Sequence, residues 1–132
     1  MHRDILFRGK SKKTGEWLYG SLINGLFCSC EENLSYIFDY SKIVIDDLHD
    51  VEKYMNEFEV INNTIGQLTD CCDVDGNDIW EGDIINQKSV LLGDEEIDFT
   101  GIVSFCDGGW YIVNSNDAIP LWNKCRENKL ME

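Results

Sequence analysis

Residues 64–85, TIGQLTDCCDVDGNDIWEGDII, decide how this chain is read. Asp75-Gly76 is a two-residue turn signal, because tight hairpin turns need φ > 0, which glycine supplies without steric cost. Trp80-Glu81-Gly82-Asp83 then interrupts the chain just before the apolar pair Ile84-Ile85. The segment therefore predicts a hairpin or tight loop tip at 75–76, a bend at Gly82, and a strand launched from Asp83. Asp83 is expected to hydrogen-bond nearby backbone where that strand begins.

Working outward toward the C-terminus, Phe99, Gly101, Val103 and Phe105 alternate with Thr100, Ile102 and Ser104, the period of a half-buried strand. Asp107-Gly108-Gly109 reads as a turn, and Trp110-Tyr111-Ile112-Val113 as the returning strand. Residues 89–92 are expected to extend the 83–87 strand past a bulge, and 93–96 to form an acidic loop tip.

Toward the N-terminus the reading is again β. Residues 4–8, 17–23, 26–30 and 35–40 read as strands, joined by a polar connection at 9–15, the Asn24-Gly25 turn signal and a turn at 31–33. Residues 41–45 favour a strand through Ile43, Val44 and Ile45. One helical window stands out at 46–58, where Leu48, Val51, Met55 and Phe58 recur on one face. Many short strands broken by turns, with Pro120 the single proline, predict a mostly β fold without a proline-rich linker.

Composition bounds the function. The chain has 132 residues, with 43% hydrophobic and 11% aromatic, enough to build a core without a staple. No apolar run reaches the roughly 20 residues of a membrane span, and Asp4 falls where a signal peptide needs apolar residues. The expectation is a soluble cytoplasmic protein that does not meet a membrane. Acids outnumber Lys and Arg 25 to 11, a net charge of −14, which opposes phosphate-backbone binding. Arg8, Lys10, Lys12 and Lys13 form only a small basic cluster.

Candidate chemistry mostly dissolves on inspection. Cys28, Cys30, Cys71, Cys72, Cys106 and Cys125 contain no C-x-x-C pair, so they read as buried or half-buried free thiols rather than a zinc site. On a strand, Cys71 and Cys72 point to opposite faces. Residues 73–78, DVDGND, imitate a calcium loop. With Gly76 at the sixth position, however, Cys71 and Gly82 fall where oxygen ligands are required. The carboxylates of this loop are expected to be solvated at its tip. Glu81 and Asp83 lack histidine partners for a metal centre. No phosphate cradle or nucleophile elbow occurs, and the tryptophans read as core.

Three blocks resemble the YopX family of phage and prophage proteins. The first is Phe7-Arg8-Gly9-Lys10 with Gly15-Glu16-Trp17 and Tyr19-Gly20. The second is Thr64-Ile65-Gly66-Gln67, then Thr69, Asp73, Asp75-Gly76, Ile79 and Glu81-Gly82-Asp83-Ile84. The third is Gly101-Ile102-Val103 with Phe105, Asp107-Gly108 and Tyr111. Leu68, Asp70-Cys71 and Trp80 depart from the family's usual aromatic, Gly-Leu pair, and tyrosine or phenylalanine. The resemblance implies an SH3-like β-barrel over 64–132, with a β-rich region 1–63 carrying the short helix packed on it. It implies no established enzyme activity.

Together these readings predict a non-enzymatic binding or assembly module of a phage or prophage, working in the bacterial host cytoplasm. No catalytic residue, metal ligand or cofactor is assigned. Gln67, Trp80, Glu81 and Asp83 are the candidate binding surface for an unidentified protein partner. Self-association is expected through exposed strand edges. Two alternatives are an acidic mimic of nucleic acid that inhibits a host DNA-acting protein, and a cysteine- or metal-dependent enzyme using Cys71, Cys72 or Cys106.

Overall fold

The computed structural model describes residues 5–24, 34–42, 56–89, 98–121 and 126–131. The chain is mostly β, in curled antiparallel sheets. It divides into two compact units, Met1–Gln67 and Leu68–Glu132.

In the first unit, β1 (Phe7–Lys10) pairs with β2 (Trp17–Asn24), and β2 with β3 (Ser35–Phe38). The short β4 (Glu59–Val60) follows on β3, while Gly66 and Gln67 at the start of β5 (Gly66–Cys72) pair with β1. Leu18, Ile37, Phe58 and Val60 form the buried core, with Phe38 edge-on to Phe58 at 5.5 Å. Gly9 and Lys10 lie in β1 rather than in the polar connection expected at 9–15. Residues 56–58 are helical; the rest of the expected helix, 46–55, and the expected strand 26–30 lie outside the described residues. Tyr40–Lys42 form a 3-10 turn, not the start of a strand. The turn is held by Asp39, whose buried carboxylate accepts the backbone N–H groups of Tyr19 and Ser41 at 3.1 Å each. Local side-chain bonding of this kind competes with a strand ladder.

In the second unit, the rest of β5 pairs with β6 (Asp78–Trp80). A five-stranded sheet runs β10-β9-β8-β7-β11, comprising β7 (Ile84–Ser89), β8 (Asp98–Cys106), β9 (Gly109–Val113), β10 (Ala118–Pro120) and β11 (Arg126–Met131). Its inner face buries Ile85, Val103, Ile112 and Leu121 with Ile79 of β6. Gly101 is required by close approach: a Cβ there would stand 2.6 Å from the Val113 carbonyl oxygen. Gln87 is fully buried on this face and donates to Asn128 Oδ1 at 2.8 Å, so the core contains one satisfied amide pair.

The β8–β9 hairpin forms as expected, with its tip tightened to two residues. Asp107 (φ 48°) and Gly108 (φ 78°) make the turn, and Gly109 already pairs with Cys106. The 75–76 signal plays out differently. Only Gly76 has positive φ (85°), and the connection is the longer run Asp73 to Asn77. The expected alternation of β8 holds through Val103, but Phe105 is exposed and sits edge-on to Trp110 at 5.1 Å.

Candidate functional site

The Asp73 connection is built around its own carboxylate. Asp73 Oδ1 accepts the N–H groups of Asp75 at 3.0 Å and Asn77 at 2.8 Å. Oδ2 accepts the Asn77 side-chain amide at 3.4 Å and the Leu130 N–H at 3.5 Å. Val74 N–H adds a bond to the Asn128 carbonyl at 2.9 Å, so this turn is tied to β11. Asp73 is therefore buried, only 7% exposed, and not solvated at a loop tip as expected from sequence. Burial acts to raise its carboxyl pKa, but the N–H groups of Asn77, Asp75 and Leu130 prevail and hold it below its ordinary 3.8.

Upstream, β5 bulges. Leu68 faces Trp80 and Cys72 faces Asp78, so three residues of β5 oppose the single Ile79 of β6. Thr69 absorbs the mismatch: its buried hydroxyl donates to the Ile79 carbonyl at 2.7 Å and accepts the Cys71 N–H at 3.1 Å. Asp70, at the centre of the bulge, has φ 65°, in the left-handed region where glycine is at home.

Trp80, Glu81 and Asp83 come together in the next turn. Trp80 N–H donates to Asp83 Oδ2 at 2.8 Å, and Asp83 N–H returns to the Trp80 carbonyl at 3.1 Å. Gly82 adopts φ 92°, and its N–H reaches the Val103 carbonyl of β8 at 2.9 Å. Asp83 thus caps the turn, as its sequence position predicts. Trp80 is buried and Glu81 half-buried. Gln67 is half-buried in the first unit, at the position of β5 opposite Phe7. The four-residue candidate surface is therefore one turn plus a residue of the other unit.

The cysteines divide as strand alternation requires. Cys71 packs against the core of the second unit and Cys72 is exposed; both are free thiols, as is Cys106. Partial desolvation and the neighbouring Asp78 carboxylate, 3.8 Å from the sulfur, push the Cys72 thiol up, opposite to what a nucleophile needs. Cys28, Cys30 and Cys125 lie outside the described residues. Among the described residues no three His, Cys, Asp or Glu side chains converge on a metal position. Three members of the basic cluster are engaged: Arg8 lies 4.3 Å and Lys10 5.2 Å over the Trp17 ring, and Lys12 pairs with Glu59 at 2.8 Å.

Sequence reasoning missed the outer face of the five-stranded sheet. Strand pairing aligns Met131 with Ile84, Ile84 with Ile102, Ile102 with Val113, and Val113 with Ala118. These five apolar residues form one unbroken row across the sheet. Met131, Ile84 and Ile102 are 47%, 43% and 50% exposed. Solvated faces of antiparallel sheets normally carry polar residues, so a full cross-strand apolar row is unusual. Two local signals pointed to it: Ile102 between the polar Thr100 and Ser104, and the adjacent Ile84-Ile85, of which one must face outward.

No protein-family model, curated protein or solved structure matches this chain. No helix among the described residues is long and apolar enough to cross a membrane.

Proposed function

We propose that this chain is a non-enzymatic binding or assembly module, a YopX-like protein of phage or prophage origin that works in the cytoplasm of a bacterial host. The observation that carries the binding reading is the exposed apolar row through Ile84, Ile102 and Met131. Large apolar side chains aligned on a solvated face are a contact surface awaiting a partner. The buried carboxylates of Asp39 and Asp73, and that of Asp83, are occupied by backbone N–H groups. The reactive-cysteine alternative is weakened at Cys72 by the direction of its pKa shift.

Support for the family comes from position 70, where the YopX pattern usually has glycine and this chain has an aspartate in a left-handed conformation. The short antiparallel strands β5 to β11 and the bend at Gly82 support the finer reading of an SH3-like barrel. A second reading, the acidic mimic, is favoured by charge distribution: residues 68–132 carry 14 acids against 4 bases, residues 1–67 carry 11 against 7.

The test of the binding reading is a partner retained by the wild type and lost with Ile102→Lys, alongside a substrate-turnover screen. Turnover abolished by Glu81→Gln or Cys106→Ser would overturn it. Tight low-salt binding to a basic DNA-acting protein, unaffected by Ile102→Lys, would move the assignment to the mimic.

A further inference from the structure

We infer that the outer face of the β10-β9-β8-β7-β11 sheet is the contact surface between two copies of this chain. The inference rests on the binding-module reading and names the partner of that surface.

Its charge distribution argues for self-association. Beside the apolar row lie Lys129, Asn86 and Thr100, and beyond them Glu127, Lys88 and Asp98, again aligned strand to strand. The flanking rows balance two lysines against two carboxylates, on a chain whose net charge is −14. A basic partner is drawn to the acidic surface elsewhere. A second copy, repelled by that same surface, meets on this face balanced charge and a row of aligned apolar side chains. With both signs present, the charged row adds little net repulsion to that contact.

The edges of the sheet are closed to the same event. On β11, the Asn128 carbonyl is occupied by Val74 N–H and the Leu130 N–H by Asp73. On the other side, β10 has three residues; Ala118 N–H is taken by Asp117 Oδ1, and Pro120 has no N–H. Edge-to-edge pairing, the route to self-association expected from sequence, is blunted at both ends of this sheet. On this sheet the face, and not an edge, is the surface offered to a second copy.

Size sets the strength. Five strands at about 4.8 Å spacing, each contributing up to six residues, give a patch roughly 20 Å on a side. That is about 400 Å² per copy and roughly 800 Å² in total, below the area of a standard stable interface, which corresponds to a weak, reversible dimer with a dissociation constant of about micromolar or above. The sign of its salt dependence is diagnostic. Screening relieves acid–acid repulsion and leaves apolar contact untouched, so the dimer tightens as salt rises. An ionic association would weaken.

The experiment is sedimentation equilibrium on the full chain from about 1 to 500 µM, concentrations that bracket a micromolar dissociation constant, at low and high NaCl. The wild type is expected to dimerise, and more tightly at high salt. Ile102→Lys, an outward substitution in the middle of the row, is expected to raise Kd at least about tenfold, since it buries unpaired charge. Val74→Lys, equally exposed but off the face, is expected to leave Kd unchanged. If Ile102→Lys does not fold, judged by circular dichroism, Met131→Lys at the end of the row reads the same contact. A wild type monomeric throughout, a dimer that loosens with salt, or one indifferent to both lysine substitutions overturns the inference. A monomer that still loses a heterologous partner on Ile102→Lys overturns the second copy alone and leaves the binding reading standing.

Discussion

Replacing Asp73 by alanine tests whether one carboxylate organises the turn that dominates the sequence. The substitution removes the acceptor for Asp75 N–H and Asn77 N–H, and the tether to Leu130 N–H on β11. Asp75 and Asn77 are exposed, so water replaces part of what is lost. At about 1 kcal/mol for each of three bonds, the expected cost is about 2–3 kcal/mol. With a urea slope near 1.5 kcal/mol per molar, the unfolding midpoint falls by about 1.3–2 M. Trp80 and Trp110, both in the second unit, supply the fluorescence readout.

The acid dependence sharpens the test. The folded carboxyl lies below its ordinary 3.8, so the charged form is favoured by folding. Its contribution is complete above that value and is lost as pH falls through the folded pKa. Asp73→Asn retains an oxygen acceptor but no charge. The stability gap between wild type and Asp73→Asn is therefore expected to be level from pH 7 to about 5 and to close below about pH 4. Asp39, whose carboxyl is also lowered, is common to both proteins and cancels. A loss under about 0.5 kcal/mol for Asp73→Ala, or a gap independent of pH, would refute the role given to this carboxylate.

Other substitutions read neighbouring features. Thr69→Val, nearly isosteric, strands the Ile79 carbonyl and the Cys71 N–H in the bulge and is expected to cost about 2 kcal/mol by urea unfolding; an unchanged midpoint would remove the hydroxyl from the account. Asp70→Gly relieves a left-handed φ and is expected to stabilise by about 0.5–1 kcal/mol, whereas a lower thermal midpoint would show that the aspartate side chain matters more than its backbone. Gly101→Ala drives a methyl against the Val113 carbonyl and is expected to cost about 2 kcal/mol or more, with wild-type stability in calorimetry refuting the close approach of β9.

The legible parts of this fold are those decided by neighbours in sequence. Asp107-Gly108 announces its turn because both residues tolerate positive φ and strong strand formers flank them. Asp83 announces its capping role through the glycine beside it. The Asp73 turn was half legible. Its location was visible, but a buried acid accepting backbone N–H groups has the same composition as a solvated one. The bulge at 69–71 was hidden because register is a relation between strands, which Thr69 satisfies with a hydroxyl that looks ordinary in sequence. The candidate surface suffered from the same blindness. Met131, Ile84, Ile102 and Val113 are far apart along the chain, and only strand pairing makes them a row.

The placement of the acids bears on the mimic and on the dimer in opposite ways. A mimic of nucleic acid must hold its carboxylates outward, whereas Asp39, Asp73 and Asp83 direct theirs to their own backbone. Part of the acidity is thereby structural, shaping turns through charge-assisted hydrogen bonds. The acids that remain exposed still repel a second copy, over about 10 Å at 0.1 M salt. An apolar face flanked by balanced charge is where such a chain can associate without first being neutralised. Its acidity then sets the salt threshold of assembly while the apolar row sets its geometry, and the two can be altered independently by substitution.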